Sequence, residues 1–259
     1  MWPSSPANRP LLGAALLPLL LLAAAARAAL PVPEDASAHY RRCLEEARSA
    51  PETGLKTADD WRNAGGGFPA EHCTAVALFA LGRYAEAARQ FEALAGAMMQ
   101  RGPELRAGAL EQAGQAWLLA GKPQSARDAF DAALHFTPRD PELFIDRARA
   151  DDAAHALRDA VADLDSALSI DPKRADALVY RASAYRQLGE LDHASADVAA
   201  ALELVPDHVE GHLERGNIRR LAGDTDGARA DWREVERLAP RSPAAAAAAE
   251  NLAALAAAR

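Results

Sequence analysis

The stretch that decides the fold is ADALVYRASAYRQLGELDHASADVAAALELVPDH, residues 175–208. Its neighbours PELFIDRARADDAAHALRDAVADLDSALSIDPKR (141–174) and VEGHLERGNIRRLAGDTDGARADWREVERLAPRS (209–242) align with it without a gap, each 34 residues long. AGALEQAGQAWLLAGKPQSARDAFDAALHFTPRD (107–140) fits the same frame, and FPAEHCTAVALFALGRYAEAARQFEALAG, starting at Phe68, fits it with a longer tail. Within 175–208, Leu178, Ala182, Tyr185 and Leu188 recur at the spacing of a helix face. Arg181 falls inside that stripe, and a charge on a packing face is either a site or a structural device.

The aligned columns have physical reasons. A small residue stands at the eighth position (Ala75, Gly114, Ala148, Ala182, Gly216), where a first helix must approach a second closely. Gly82, Gly121, Gly189 and Gly223 supply the left-handed conformation that ends the first helix. Ala87, Ala126, Ala160, Ala194 and Ala228 let the second helix close on the first, with Phe91, Phe130, Leu164, Val198 and Trp232 filling the space beside them. Pro138, Pro172, Pro206 and Pro240 stop the second helix. Two departures stand out. His155 replaces the turn glycine of the third repeat, and the first repeat lacks the terminal proline, AGAMMQRGPELR bridging onward by a longer helix broken at Gly102 and Pro103.

This period and these columns resemble the tetratricopeptide repeat over residues 68–242. The resemblance implies an all-α, right-handed superhelical solenoid of antiparallel helix pairs with five repeats, at 68–106, 107–140, 141–174, 175–208 and 209–242. It further implies a concave face, lined by the first helices, that binds an extended or helical segment of another protein.

The ends differ from the array. Residues 1–28 read as a secretory signal peptide: Arg9, then the uncharged run LLGAALLPLLLLAAAA, then ARA, with cleavage after Ala28. The alternative, an uncleaved anchor, has a short run interrupted by Pro18. Export makes the protein periplasmic or secreted. In that setting the chain's two cysteines, Cys43 and Cys73, favour a disulfide over two buried thiols. Residues 29–67 read as a helical cap pinned to the first repeat by that bridge, and 243–259 as a capping helix that starts at Ser242 and Pro243 and is rich in Ala.

Cleavage removes Arg9 and Arg27 and no acid, so the mature chain carries 27 basic against 37 acidic residues. That acidity argues against nucleic acid or an anionic membrane as partner. Arg147, Arg181 and Arg215 share one repeat position, and Asp163, Asp197 and Asp231 another, sixteen residues on. Three copies of one pair predict structural ion pairs between helices rather than a catalytic constellation.

No nucleophile elbow, phosphate loop or haem attachment occurs, so no cofactor, small-molecule substrate or enzymatic activity is expected. His208, Glu210 and His212 leave one alternative open, a metal-dependent or catalytic envelope protein, although Val209 stands where the zinc-protease pattern needs Glu. Another alternative is a structural subunit of an envelope complex that binds through its N-terminal cap. The favoured expectation is an exported scaffold or adaptor with a protein or peptide partner. Its groove candidates are Glu142, Arg149 and Asp152, then Asp176, Ser183 and Arg186, then Glu210, Asn217 and Arg220. The clamp with which some chaperone-binding members of that family grip a terminal carboxylate does not carry over. Ile145, Val179 and Leu213 occupy one of its rows, Arg149 and Ser183 the other, and only Asn217 matches in type.

Overall fold

A computed structural model describes residues 34–257; the expected signal segment lies outside them. Among the described residues the chain forms thirteen α-helices and no strand. An N-terminal pair, α1 (Glu34–Ser49) and α2 (Pro51–Asn63), precedes five hairpins. These are α3 (Gly67–Ala80) with α4 (Tyr84–Ala97), α5 (Pro103–Leu119) with α6 (Pro123–Phe136), and α7 (Pro141–Ala153) with α8 (Leu157–Ile170). Then follow α9 (Ala175–Gln187) with α10 (Leu191–Leu204), and α11 (Val209–Leu221) with α12 (Thr225–Leu238). A final helix, α13 (Pro243–Ala257), closes the array. No helix of the described residues is long and apolar enough to cross a membrane.

The repeated columns do what their residue types allow. A Cβ added to Gly114 would lie 2.5 Å from the Phe130 ring, and one added to Gly216 would lie 2.5 Å from Trp232 Nε1, so these hairpins close only on glycine. Phe130 and Trp232 are fully buried as a result, each contributing roughly 1.5–3 kcal/mol of transfer free energy. The turn glycines sit at positive φ, and His155 adopts the same conformation at φ 60° without the glycine. The missing proline of the first repeat is answered differently from expectation. Helix α4 stops at Ala97, as short as its counterparts, and the extra residues lengthen the start of α5, which Gly102 and Pro103 open.

Sequential helices pack on each other, and α1, α3, α5, α7, α9, α11 and α13 also touch across the intervening helix in five pairs: α1 with α3, α5 with α7, α7 with α9, α9 with α11, and α11 with α13. Among the described residues no two second helices approach to that extent. Rows that touch lie on the inside of a bend, so the first helices line the concave side of the solenoid.

At the N-terminal end, α1 packs on both α2 and α3 around buried Tyr40, Cys43, Ala47 and Ala58. Cys43 and Cys73 are bonded, tying α1 to α3. A Cβ on Gly54 would lie 2.4 Å from the Ala47 backbone. Gly54 stands three residues after Pro51, as Ala126 stands three after Pro123, so this pair closes in the manner of a repeat hairpin.

A ladder of arginines runs between the hairpins. Arg147 Nε donates to Asp163 at 2.7 Å, Arg181 Nε and Nη2 to Asp197 at 2.8 and 2.7 Å, and Arg215 Nη2 to Asp231 at 2.6 Å. Each carboxylate is almost buried. The guanidinium also reaches backward: Arg147 Nη1 holds Asp131, and Arg181 Nη1 holds Asp165 at 2.6 Å, both on the preceding second helix. One planar fork thus closes its own hairpin and fixes the spacing to the repeat before it. These charge-assisted bonds raise the affinity of Arg147 and Arg181 for their protons, against the opposing effect of burial.

Candidate protein-interaction groove

The floor of the concave side is built from polar side chains that link the first helices. Tyr40 Oη on α1 lies 2.7 Å from His72 Nδ1 on α3, and His72 Nε2 lies 2.9 Å from Gln112 Oε1 on α5. Burial pushes His72 down to about 4, so the ring is neutral at pH 7, accepting at Nδ1 and donating at Nε2. Gln115 Nε2 on α5 then donates to Asp146 Oδ2 on α7 at 3.0 Å. Gln187 on α9 donates to Asp152 on α7 at 2.7 Å. Arg186 Nε on α9 donates to Glu214 on α11 at 2.5 Å, and Asn251 on α13 donates to Asn217 on α11 at 3.1 Å. Such a chain of bonds holds the first helices at set distances, so the groove is shaped before anything enters it.

The charged groove candidates other than Asp152 fall into two stripes. Glu142, Asp176 and Glu210 stand near the N-terminal ends of α7, α9 and α11, while Arg149, Arg186 and Arg220 stand toward the C-terminal ends. Asp176 and Arg186 are separated by about 15 Å along the helix at 1.5 Å per residue. Arg174, at the entrance of α9, bridges Glu142 at 2.9 Å and Asp176 at 2.7 Å. Burial works to raise the Asp176 carboxyl, but the Arg174 hydrogen bonds and charge hold it below the usual range.

Several of these side chains are less free than an outward-facing helix stripe would be. Arg149 is 20 % exposed, donates to Asp146 at 2.8 Å, and stands 5.9 Å over the Tyr180 ring. Burial raises the Tyr180 hydroxyl and Arg149 partly offsets it. Ser183 lies 3.4 Å from Arg186 Nη2. Glu210 is 40 % exposed with His208 Nδ1 3.6 Å away, and Arg220 is exposed. Charge is therefore largely balanced within the groove, with Asp152 and Arg220 its exposed charges and Glu210 partly open beside His208.

Asp146, Tyr180, Glu214 and Gln112, which make the floor, are absent from the sequence-derived candidates. They share the sixth repeat position, so the column of large polar residues was the signal available. Its meaning is hidden in the sequence because each makes a different bond.

His208, Glu210 and His212 do not converge. His208 Nδ1 accepts from the Gly211 backbone N–H at 3.1 Å and caps α11, while His212 Nε2 lies 2.8 Å from the Pro206 carbonyl and Nδ1 lies 3.5 Å from Asp231. Among the described residues no three His, Cys, Asp or Glu side chains gather as a metal-binding group.

Against known proteins, the family model described as tetratricopeptide repeat matches residues 74–141, 142–209 and 185–243. No curated protein matches the chain. Among solved structures, a thermophilic TPR protein of Thermus thermophilus is similar with TM-score 0.58 and 24% identity, over 73% of this chain and 98% of that one. MamA from Desulfovibrio magneticus is similar with TM-score 0.55 and 21% identity, over 70% and 94%. YrrB, described as a TPR protein with an unusual peptide-binding site, is similar with TM-score 0.52 and 17% identity, over 74% and 96%. At these identities the likeness is one of fold.

Proposed function

Because the chain belongs to the tetratricopeptide-repeat family, we propose that it is an exported protein-interaction scaffold whose concave groove docks a segment of a partner protein. The observation that carries this reading is the preformed groove itself. Its first helices are bonded to one another across the floor, with an acidic stripe along one edge and arginines along the other. A rigid surface loses little conformational entropy on binding, and a charge pattern split across its width selects orientation as well as partner. The peptide-binding site named for YrrB supports the same mode for this fold. Export rests on the N-terminal apolar run and agrees with the bonded cysteine pair. The reading is non-enzymatic: the histidines that could serve chemistry are used in capping and packing bonds.

The test is affinity capture from the native envelope with three baits: wild type, a Glu210→Lys/Arg220→Glu variant, and an outer-helix control, Arg233→Glu. The two groove positions are chosen because their replacement leaves no buried ion unpaired. Loss of a partner from the groove variant, with retention by the control, is the expected result. Equal recovery by all three baits refutes docking in the groove.

A further inference from the structure

The eleventh position of the repeat carries Leu78, Trp117, Tyr185 and Arg219 in four repeats and Asp151 in the third. Asp151 is 0% exposed, and neither carboxylate oxygen makes a hydrogen bond. A buried ionised carboxylate without hydrogen bonds is costly for a fold to hold. Arg127 Nη1 on α6 forms an ion pair with Asp151 Oδ1 at 2.9 Å without the alignment of a hydrogen bond; the same nitrogen donates to Asp159 on α8 at 3.0 Å. The other charges facing Asp151 are Asp163 on α8 and Arg147 on its own helix. Burial pushes the Asp151 carboxyl up to about 6; Arg127 and Arg147 oppose that, and Asp163 and Asp159 add to it.

The position is mechanically special as well. The apolar core divides at α7: Leu143 and Ala150 pack with α3 to α6, whereas Ile145 and Ala148 pack with α8 to α10. Asp151 closes the last turn of that wall, its carbonyl accepting the N–H of Ala154 at 3.1 Å and of Ala156 at 2.8 Å. Between them stands His155 at φ 60°, where four other repeats use glycine. Polar floor bonds through Asp146 and Asp152 leave the same helix for α5 and α9.

We propose that the junction between the second and third repeats is acid-responsive, with Asp151 as its sensor. As the neutral acid, Asp151 is compatible with the closed packing of α6, α7 and α8. Loss of its proton to solvent places there a buried negative charge that has the Arg127 guanidinium beside it but no hydrogen bond, and loosens the wall that sets the groove's curvature. In an unfolded chain an aspartate titrates near 3.9. Between that value and the higher folded one, the folded chain holds a proton that the unfolded chain does not. Closure at this junction therefore strengthens as the pH falls from 7 toward 5 and is lost as the pH rises through the folded value.

Carbon-13 carboxyl NMR across pH 3–8, combined with amide hydrogen exchange at pH 7.5 and 5.5 corrected for intrinsic rates, tests this. Asp151 titrates well above the other carboxyls, and α7 and α8 amides gain at least threefold protection at the lower pH. In Asp151→Asn that gain disappears. Should that variant not fold, Arg127→Gln serves: removing the nearest cation moves the Asp151 midpoint upward. A midpoint below 4.5, a gain in protection that persists in Asp151→Asn, or a midpoint unmoved by Arg127→Gln overturns the proposal.

Discussion

Breaking the ladder at Arg181 separates its two arms. Toward its own hairpin the guanidinium makes two parallel bonds to Asp197, a carboxylate whose side chain is 11% exposed. Toward the preceding repeat it makes one bond to Asp165, which is 54% exposed. Removing one partner of a buried pair strands the other charge, a loss of roughly 3–5 kcal/mol when burial is complete. With Arg181 itself 20% exposed, water reaches part of the fork, so Asp197→Ala should cost about 2–3 kcal/mol. The Asp165 arm is an exposed ion pair worth roughly 0.2–1 kcal/mol, screened by salt. Urea unfolding followed by far-ultraviolet circular dichroism, at low and high sodium chloride, measures both arms. The double variant Arg181→Met/Asp197→Leu should be less damaging than the two single changes added together, by about 1.5 kcal/mol or more. Strict additivity, or an Asp165→Ala cost equal to that of Asp197→Ala, would refute the account of the ladder.

Three further outcomes follow from the same structure. Ala199 is the counterpart of Asp131 and Asp165, and Arg215 spends Nε and Nη2 on Asp231; Ala199→Asp should therefore extend the ladder and raise stability by about 0.2–1 kcal/mol in urea titration. Gly216→Ala places a Cβ 2.5 Å from Trp232 Nε1, so it should cost roughly 1–3 kcal/mol and change the Trp fluorescence. His72 is held at about 4 by burial, whereas an unfolded histidine titrates near 6.5. The unfolded chain then binds the extra proton between those values, and the contribution of His72 to stability should fall by about 3 kcal/mol as the pH drops from 7 to 4. A His72→Gln variant should lack that component of the pH dependence.

The fold was open to reading because its information is periodic. Gly114 and Gly216 recur where Phe130 and Trp232 leave no room, and the Arg147, Arg181 and Arg215 column points to its aspartates at constant spacing. The backward arm of each arginine was less accessible. Asp131 and Asp165 share a column, but Ala199 and Arg233 break it, so only contact geometry reveals the second bond. The groove floor resists sequence reading for a different reason. Gln115 with Asp146, Gln187 with Asp152, and Arg186 with Glu214 join first helices through unlike positions, because each local charge found a different neighbour. Arg149 illustrates the consequence: its helical register puts it on the concave side, yet Asp146 and Tyr180 enclose most of it. Asp151 was visible as a carboxylate in a column that is aromatic in Trp117 and Tyr185, but its missing hydrogen bonds belong to three-dimensional packing alone.

The claim that the groove docks a partner is tested most directly by photo-crosslinking in the native envelope. A photoreactive amino acid replaces Ser183 at the centre of the groove, and in a parallel strain Arg233 on the outer helix α12. The account predicts a discrete adduct with another protein from the Ser183 position and none from the Arg233 position. Adducts of equal yield from both positions, or from Arg233 alone, would contradict it.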